Sequence, residues 1–146
     1  MNRNEFIKSC AYACLSGVAI TTLLQSCDVS KIISVPLSGS FLILDLKEFE
    51  TVKKEKTTYK EYIVVRNEQL KFPICVYRIN STEFTALNLE CTHQGAELQV
   101  FGDKLVCPAH GSEFNDHGQV QNGPASSNLR TFPVTIENYQ LKISLS

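Results

Sequence analysis

Cys91-Thr92-His93-Gln94-Gly95 and Cys107-Pro108-Ala109-His110-Gly111-Ser112 each offer one thiol and one imidazole on a short, loop-like segment. Thirteen residues separate His93 from Cys107. Two thiolates and two neutral imidazoles make a transition-metal site, and donor type alone leaves the metal open, because zinc accepts the same four ligands in a tetrahedron. The layout discriminates. A zinc finger carries its cysteines as one close pair and its histidines as another, whereas here each segment supplies one of each, as two metal ions sharing two loops require.

Something must hold the two segments together. Between them, Glu97-Leu98-Gln99-Val100-Phe101 and Lys104-Leu105-Val106 flank Gly102-Asp103, a two-residue connection with glycine first, as a type II′ hairpin turn wants. The predicted hairpin brings the loops side by side. Beyond the second loop, Asn122-Gly123-Pro124-Ala125 is a further turn signal.

These residues closely resemble the two cluster-binding loops of Rieske [2Fe–2S] proteins. The resemblance implies that Cys91 and Cys107 bind one iron and His93 and His110 the other, and that residues 122–125 correspond to the proline-rich segment that folds over the cluster. Replacing two anionic thiolates by neutral imidazoles lowers the negative charge on one iron. Rieske potentials accordingly run from roughly −150 to +300 mV, against about −400 mV for all-thiolate plant-type clusters. Two departures from high-potential members stand out. Ala96 and Ala109 occupy the positions of the cysteines that bridge the loops there, and Phe114 stands where a tyrosine hydroxyl would reach a ligand sulfur. Ser112 matches the serine that bonds the cluster sulfur. Since hydrogen bonds to sulfur favour the reduced state, loss of one lowers the potential, and an intermediate value is expected.

The rest of the chain reads as short β-rich runs at 41–46, 61–66, 74–79, 84–89, the cluster hairpin, 131–136 and 139–144, with Asn80-Ser81-Thr82-Glu83 and Glu137-Asn138 as hairpin connections. The predicted fold is therefore all-β, a Rieske-type antiparallel β sandwich carrying a cluster-binding hairpin subdomain. The charge-rich stretch 47–61 reads as a solvated loop or short helix rather than a docking patch. His117, in Asn115-Asp116-His117-Gly118, reads as an exposed turn residue, and Cys75 as a buried small hydrophobe.

The N-terminal region carries Arg3 and Lys8, then a mostly apolar run over 11–24, then Leu24-Gln25-Ser26-Cys27, which resembles a bacterial lipoprotein cleavage box. Fourteen residues are short of the about 20 that span a bilayer, so a signal-peptide core is expected over a permanent anchor, with an uncleaved helix as the alternative. Asn2-Arg3-Asn4-Glu5-Phe6-Ile7-Lys8 also resembles a twin-arginine signal with Asn4 replacing the second arginine, which leaves the export route open. The expected organisation is a signal peptide at 1–26, a lipid-anchored tether at 27–40 beginning with an acylated Cys27, and a Rieske domain at 41–146. Of six cysteines, Cys10 and Cys14 leave with the signal, Cys27 takes lipid, and only Cys75 lies outside the metal loops, so the mature monomer forms no disulfide. Its net charge is −2, from 12 Lys and Arg against 14 Asp and Glu, and nothing suggests nucleic acid.

The implied function is one-electron transfer through a [2Fe–2S] cluster at the outer, periplasmic face of a bacterial membrane, with no independent catalytic site. The outer ring nitrogens of His93 and His110 couple reduction to protonation, and a quinol is one conceivable reductant. The implied partner is a redox protein such as a cytochrome or an oxidoreductase subunit. Two alternatives stay open: the small subunit of a larger periplasmic oxidoreductase of the quinol-oxidising or arsenite-oxidase type, and a redox sensor. A ring-hydroxylating oxygenase is disfavoured, because no His-rich segment follows His110.

Overall fold

The structure is a computed structural model that describes residues 32–146. The expected signal peptide and the lipid-bearing Cys27 lie outside the described residues. Among the described residues no helix is long and apolar enough to cross a membrane.

Fifteen strands are described. A five-stranded sheet takes the order β1 (Ile32–Ser34), β6 (Tyr62–Arg66), β7 (Ile74–Arg78), β8 (Phe84–Asn88), β13 (Thr131–Phe132). A second sheet runs β14 (Val134–Glu137), β15 (Gln140–Ser144), β3 (Phe41–Asp45), β2 (Leu37–Ser38). The third runs β12 (Val120–Asn122), β11 (Glu113–Asn115), β10 (Lys104–Val106), β9 (Gln99–Phe101). A separate hairpin pairs β4 (Glu50–Lys53) with β5 (Lys56–Tyr59).

The five-stranded sheet is the middle layer, and its sequence shows why. Side chains alternate between faces along a strand, yet Ile63-Val64-Val65 and Ile74-Cys75-Val76-Tyr77 are continuous buried runs. Both faces must therefore be covered. Ile63, Val65, Ile74, Val76 and Ala86 pack with Leu42, Leu44, Leu141 and Ile143 of the second sheet. Val64, Cys75, Tyr77 and Leu87 point the other way and pack with Leu105 and Phe114 of the third sheet, with Leu98 just before it, and with both loop cysteines. The predicted sandwich and hairpin subdomain are thus the two sides of one central sheet.

Four local readings need correction. Residues 131–136 are not one strand: Pro133 divides them, so that Thr131–Phe132 pairs with β8 while Val134–Glu137 pairs with β15 in the other sheet. Proline has no N–H for a ladder, and the chain changes sheet there. The stretch 47–61 is neither loop nor a single short helix; a 3-10 turn at Leu46–Phe49, capped by the Asp45 carboxylate on the Lys47 N–H, leads into the β4–β5 hairpin. Of the expected tether, Ile32–Ser34 is a strand paired parallel to β6, the one parallel pairing in an otherwise antiparallel set among the described residues, and Leu37–Ser38 pairs with β3. The β14–β15 turn falls at Asn138-Tyr139, one residue later than predicted. The predicted β9–β10 turn is observed, with Gly102 at φ +58.

Candidate metal centre

β8 delivers the chain to the first loop and β10 delivers it to the second, and the two loops share one backbone frame. In the first, the Cys91 N–H donates to the Ala96 carbonyl at 2.8 Å and the Gly95 N–H donates back to the Cys91 carbonyl at 2.8 Å. In the second, the Cys107 N–H donates to the Ser112 carbonyl at 2.8 Å and the Gly111 N–H to the Cys107 carbonyl at 2.9 Å. The glycine four residues after each cysteine sits at φ +73 and +76, where a Cβ is strained. The loops are therefore structural equivalents. They differ in that histidine stands two residues after Cys91 and three after Cys107.

This frame separates the donors by environment. Cys91 and Cys107 are buried, each 2% exposed, while His93 and His110 lie at the surface with ring centroids 5.2 Å apart and planes at 86°. Both thiols are free of disulfides. Burial acts to raise the Cys107 pKa, but the backbone N–H groups of His110 and Ala109 and the Cys91 side chain interact with its sulfur, and the net result is a pKa below the ordinary thiol value. A thiolate is the form that binds metal. Among the described residues no three Cys, His, Asp or Glu side chains close around a single ion position. The donors stand instead as a buried sulfur pair and an exposed imidazole pair, a set whose chemistry fits a two-iron cluster.

Ser112 is fully buried, and its Oγ accepts the Ala125 N–H at 3.0 Å. Because that bond uses an oxygen lone pair, the hydroxyl proton remains available to a sulfur acceptor. Ala125 belongs to the predicted covering segment, which is tied down a second time by Thr92 Oγ1 donating to the Ser127 carbonyl at 2.6 Å. Sequence reasoning missed Thr92, Ser127 and Gly118. Gly118 has φ +76, and a Cβ there would lie 2.9 Å from Leu87 Cδ2 and 3.2 Å from Leu129 Cβ, so its missing side chain lets the β11–β12 turn close on the core. A glycine after Asp116-His117 carries a turn signal but not that contact.

Phe114 is fully buried opposite Leu105 and has no hydroxyl to offer. Ala96 and Ala109 leave the loops unbridged, as expected. His117 lies exposed on the β11–β12 turn with its Nδ1 2.6 Å from Asp116 Oδ1. Cys75 is fully buried, and desolvation drives its pKa well above the ordinary thiol range against a smaller opposing effect of Tyr77. It is an inert thiol. The buried Tyr77 hydroxyl makes no well-formed hydrogen bond even though Cys75 is its polar neighbour, and burial raises its pKa too.

Residues 45–133 match the family model of the Rieske [2Fe-2S] domain. That span is most of the chain, and the chain belongs to the Rieske [2Fe–2S] family. Its cofactor is a [2Fe–2S] cluster, and the chemistry of such a centre is electron transfer. Among characterised proteins it is similar to the cytochrome b6-f complex iron-sulfur subunit of Prochlorococcus marinus strain MIT 9303, 37% identical over 60 residues covering 40% of this chain and 34% of that protein. The chloroplastic cytochrome b6-f complex iron-sulfur subunit of Pisum sativum is 44% identical over 46 residues, 30% of this chain and 20% of that one. The matches thus span 34% and 20% of those relatives' lengths. Among solved structures, the plasma membrane Rieske protein PetC3 of Synechocystis PCC 6803 superposes with a TM-score of 0.51 at 30% identity, over 57% of this chain and 86% of its own.

Proposed function

We propose that this chain is a lipid-anchored, outward-facing Rieske protein of a bacterial envelope that passes single electrons between redox partners. Cys91 and Cys107 would hold one iron and His93 and His110 the other, with Ser112 donating to a cluster sulfur. The observation that carries this assignment is the shared hydrogen-bond frame of the two loops, which buries both sulfurs and leaves both imidazoles at the surface.

When bound, the cluster supplies a one-electron couple. The chain's own residues do the rest. The N–H groups of Ala109 and His110 orient and charge-stabilise the Cys107 sulfur, and the 122–129 segment, pinned through Ser112 and Thr92, excludes water from that side. At the surface, each imidazole that binds metal through one nitrogen keeps its second nitrogen free to hold or release a proton. Reduction that puts protons on these nitrogens makes the transfer proton-coupled.

Residues 1–26 would be the signal peptide, Cys27 the acylated first residue of the mature chain, and 41–146 the cluster domain. The lipoprotein box supports this arrangement, and a membrane setting is supported by the plasma membrane location of the Synechocystis relative. That the b6-f relatives are subunits of a complex favours a second reading, in which this chain is the electron-transfer subunit of a larger oxidoreductase. The partner would be a cytochrome or an oxidoreductase subunit, with quinol as a further candidate reductant.

Protein-film voltammetry tests the function: a single one-electron wave whose midpoint falls as pH rises is expected. A pH-independent wave would remove the proton coupling, and the absence of a reversible wave from cluster-loaded protein would remove the carrier reading.

A further inference from the structure

The two ends of the central sheet differ in kind. β7 starts and β8 finishes beside the cluster loops, where the Leu89 N–H donates to the Pro73 carbonyl. At the other end lie the start of β6, the finish of β7 and the β4–β5 hairpin, joined by the Arg78 N–H to the Glu61 carbonyl and the Lys60 N–H to the Phe49 carbonyl. The β14–β15 turn is at this same end, since the N–H of Leu46, the first residue of the 3-10 turn that leads into the hairpin, donates to the Tyr139 carbonyl.

This far end carries a particular composition. The hairpin tip holds Lys53, Lys54 and Lys56 against the single Glu55, with Val52 next to it 68% exposed; at the hairpin base Tyr59, paired with Glu50 and under the Arg78 guanidinium, is 53% exposed, and Tyr139 on the β14–β15 turn is 81% exposed. Every non-glycine residue with positive φ among the described residues, Lys54, Glu55, Asn138 and Tyr139, lies in these two turns. Long side chains are thus kept in a backbone conformation that glycine would adopt without strain. Lysine charge with exposed tyrosine is the composition that seats at an anionic lipid–water interface.

The chain path says which surface this is. β1 runs parallel to β6 with Ile32 opposite Val64 and Ser34 opposite Arg66, so Ile32 is the end of β1 nearer the hairpin end of the sheet. Cys27 lies only five residues upstream, a reach of at most about 18 Å.

We propose that the β4–β5 tip and the Tyr139 turn form a contact surface for anionic lipid headgroups, which orients the anchored protein with its cluster loops pointing away from the bilayer. The proposal rests on the lipid-anchor reading and deepens it. In that pose the surface imidazoles meet a protein in the aqueous space, not a quinol within the same bilayer.

The chain has no tryptophan, so Tyr139→Trp installs a single fluorophore at the proposed contact, and Gln69→Trp installs one on the exposed β6–β7 connection at the cluster end. Each full-length variant is placed in vesicles containing phosphatidylglycerol with brominated acyl chains, and Cys27 of the same sample is analysed for acyl chains by mass spectrometry. The fluorophore at 139 should be blue-shifted and quenched and the one at 69 neither, and the triple change Lys53→Glu, Lys54→Glu, Lys56→Glu should abolish the difference. Equal quenching at both positions in acylated protein overturns the contact surface and leaves the anchor standing. Quenching confined to position 139 without acyl chains on Cys27 overturns the anchor and supports the surface. If the triple change slows electron exchange with a redox protein but leaves the quenching unaltered, the patch belongs to that protein and the proposal fails.

Discussion

The two loop cysteines and Cys75 are all buried, yet their chemistry diverges because their neighbours differ. Cys107 has backbone N–H groups aimed at its sulfur and a lowered pKa, whereas Cys75 is desolvated within the sheet core and has a raised one. Thiol reagents should leave Cys75 untouched in the folded protein and modify it once denaturant opens the core, as mass spectrometry would report; native-state modification would contradict its burial. Ser112 links two functions, since its Oγ accepts from the covering segment and its proton is free for sulfur. Ser112→Ala is therefore expected to lower the midpoint potential and also to loosen residues 122–129, visible as faster amide exchange at Ala125. A drop in potential with unchanged exchange would separate the two roles. Phe114→Tyr should raise the potential where the new hydroxyl reaches a ligand sulfur; otherwise it leaves a buried orphan hydroxyl and costs about 1–3 kcal/mol of stability.

At the scale of elements, glycine sets the tolerances. Gly118→Ala forces both a left-handed alanine and a collision with Leu87 and Leu129, and it should destabilise the fold by about 1–3 kcal/mol in chemical denaturation. Gly111→Ala meets no neighbouring atom, so only the backbone term of about 1 kcal/mol remains. Equal losses at the two sites would show that the clash at Gly118 is absent. The sequence made the cluster loops and the central strands legible because their signals are local: ligand spacing, a Gly-Asp turn, and hydrophobic runs such as Ile74-Cys75-Val76-Tyr77. It hid β1, β2 and the β4–β5 hairpin, for physical reasons. β1 is three residues long and is fixed by a parallel partner thirty-two residues away, and β4–β5 turns through Lys54-Glu55, a pair that carries no turn signal and pairs strands too polar to show a period. Pro133 was readable as a strand breaker but not as the point where the chain changes sheet.

The described residues form a central sheet with a sandwich partner on one face and the cluster subdomain on the other, and the subdomain packs on the sheet through an apolar cluster. The exposed Arg66–Glu97 pair at 2.5 Å adds little, at most about 1 kcal/mol. In the proposed lipoprotein reading the covalent anchor is Cys27: Cys27→Ser should abolish acylation and release the protein from the membrane fraction, and acyl labelling that survives the change would refute that reading. With one sulfur hydrogen bond available through Ser112, none from Phe114 and no bridge between Ala96 and Ala109, the midpoint near neutral pH should lie between about −100 and about +150 mV, within the Rieske span but below its top. The proposed centre is one cluster held by two sulfurs and two imidazoles. Pulsed electron paramagnetic resonance on the reduced protein carrying nitrogen-15 histidine tests that ligation directly. Two strongly coupled histidine nitrogens are predicted, with His93→Cys and His110→Cys each removing one wherever a cluster still assembles; a reduced cluster with no coupled histidine nitrogen would contradict the assignment.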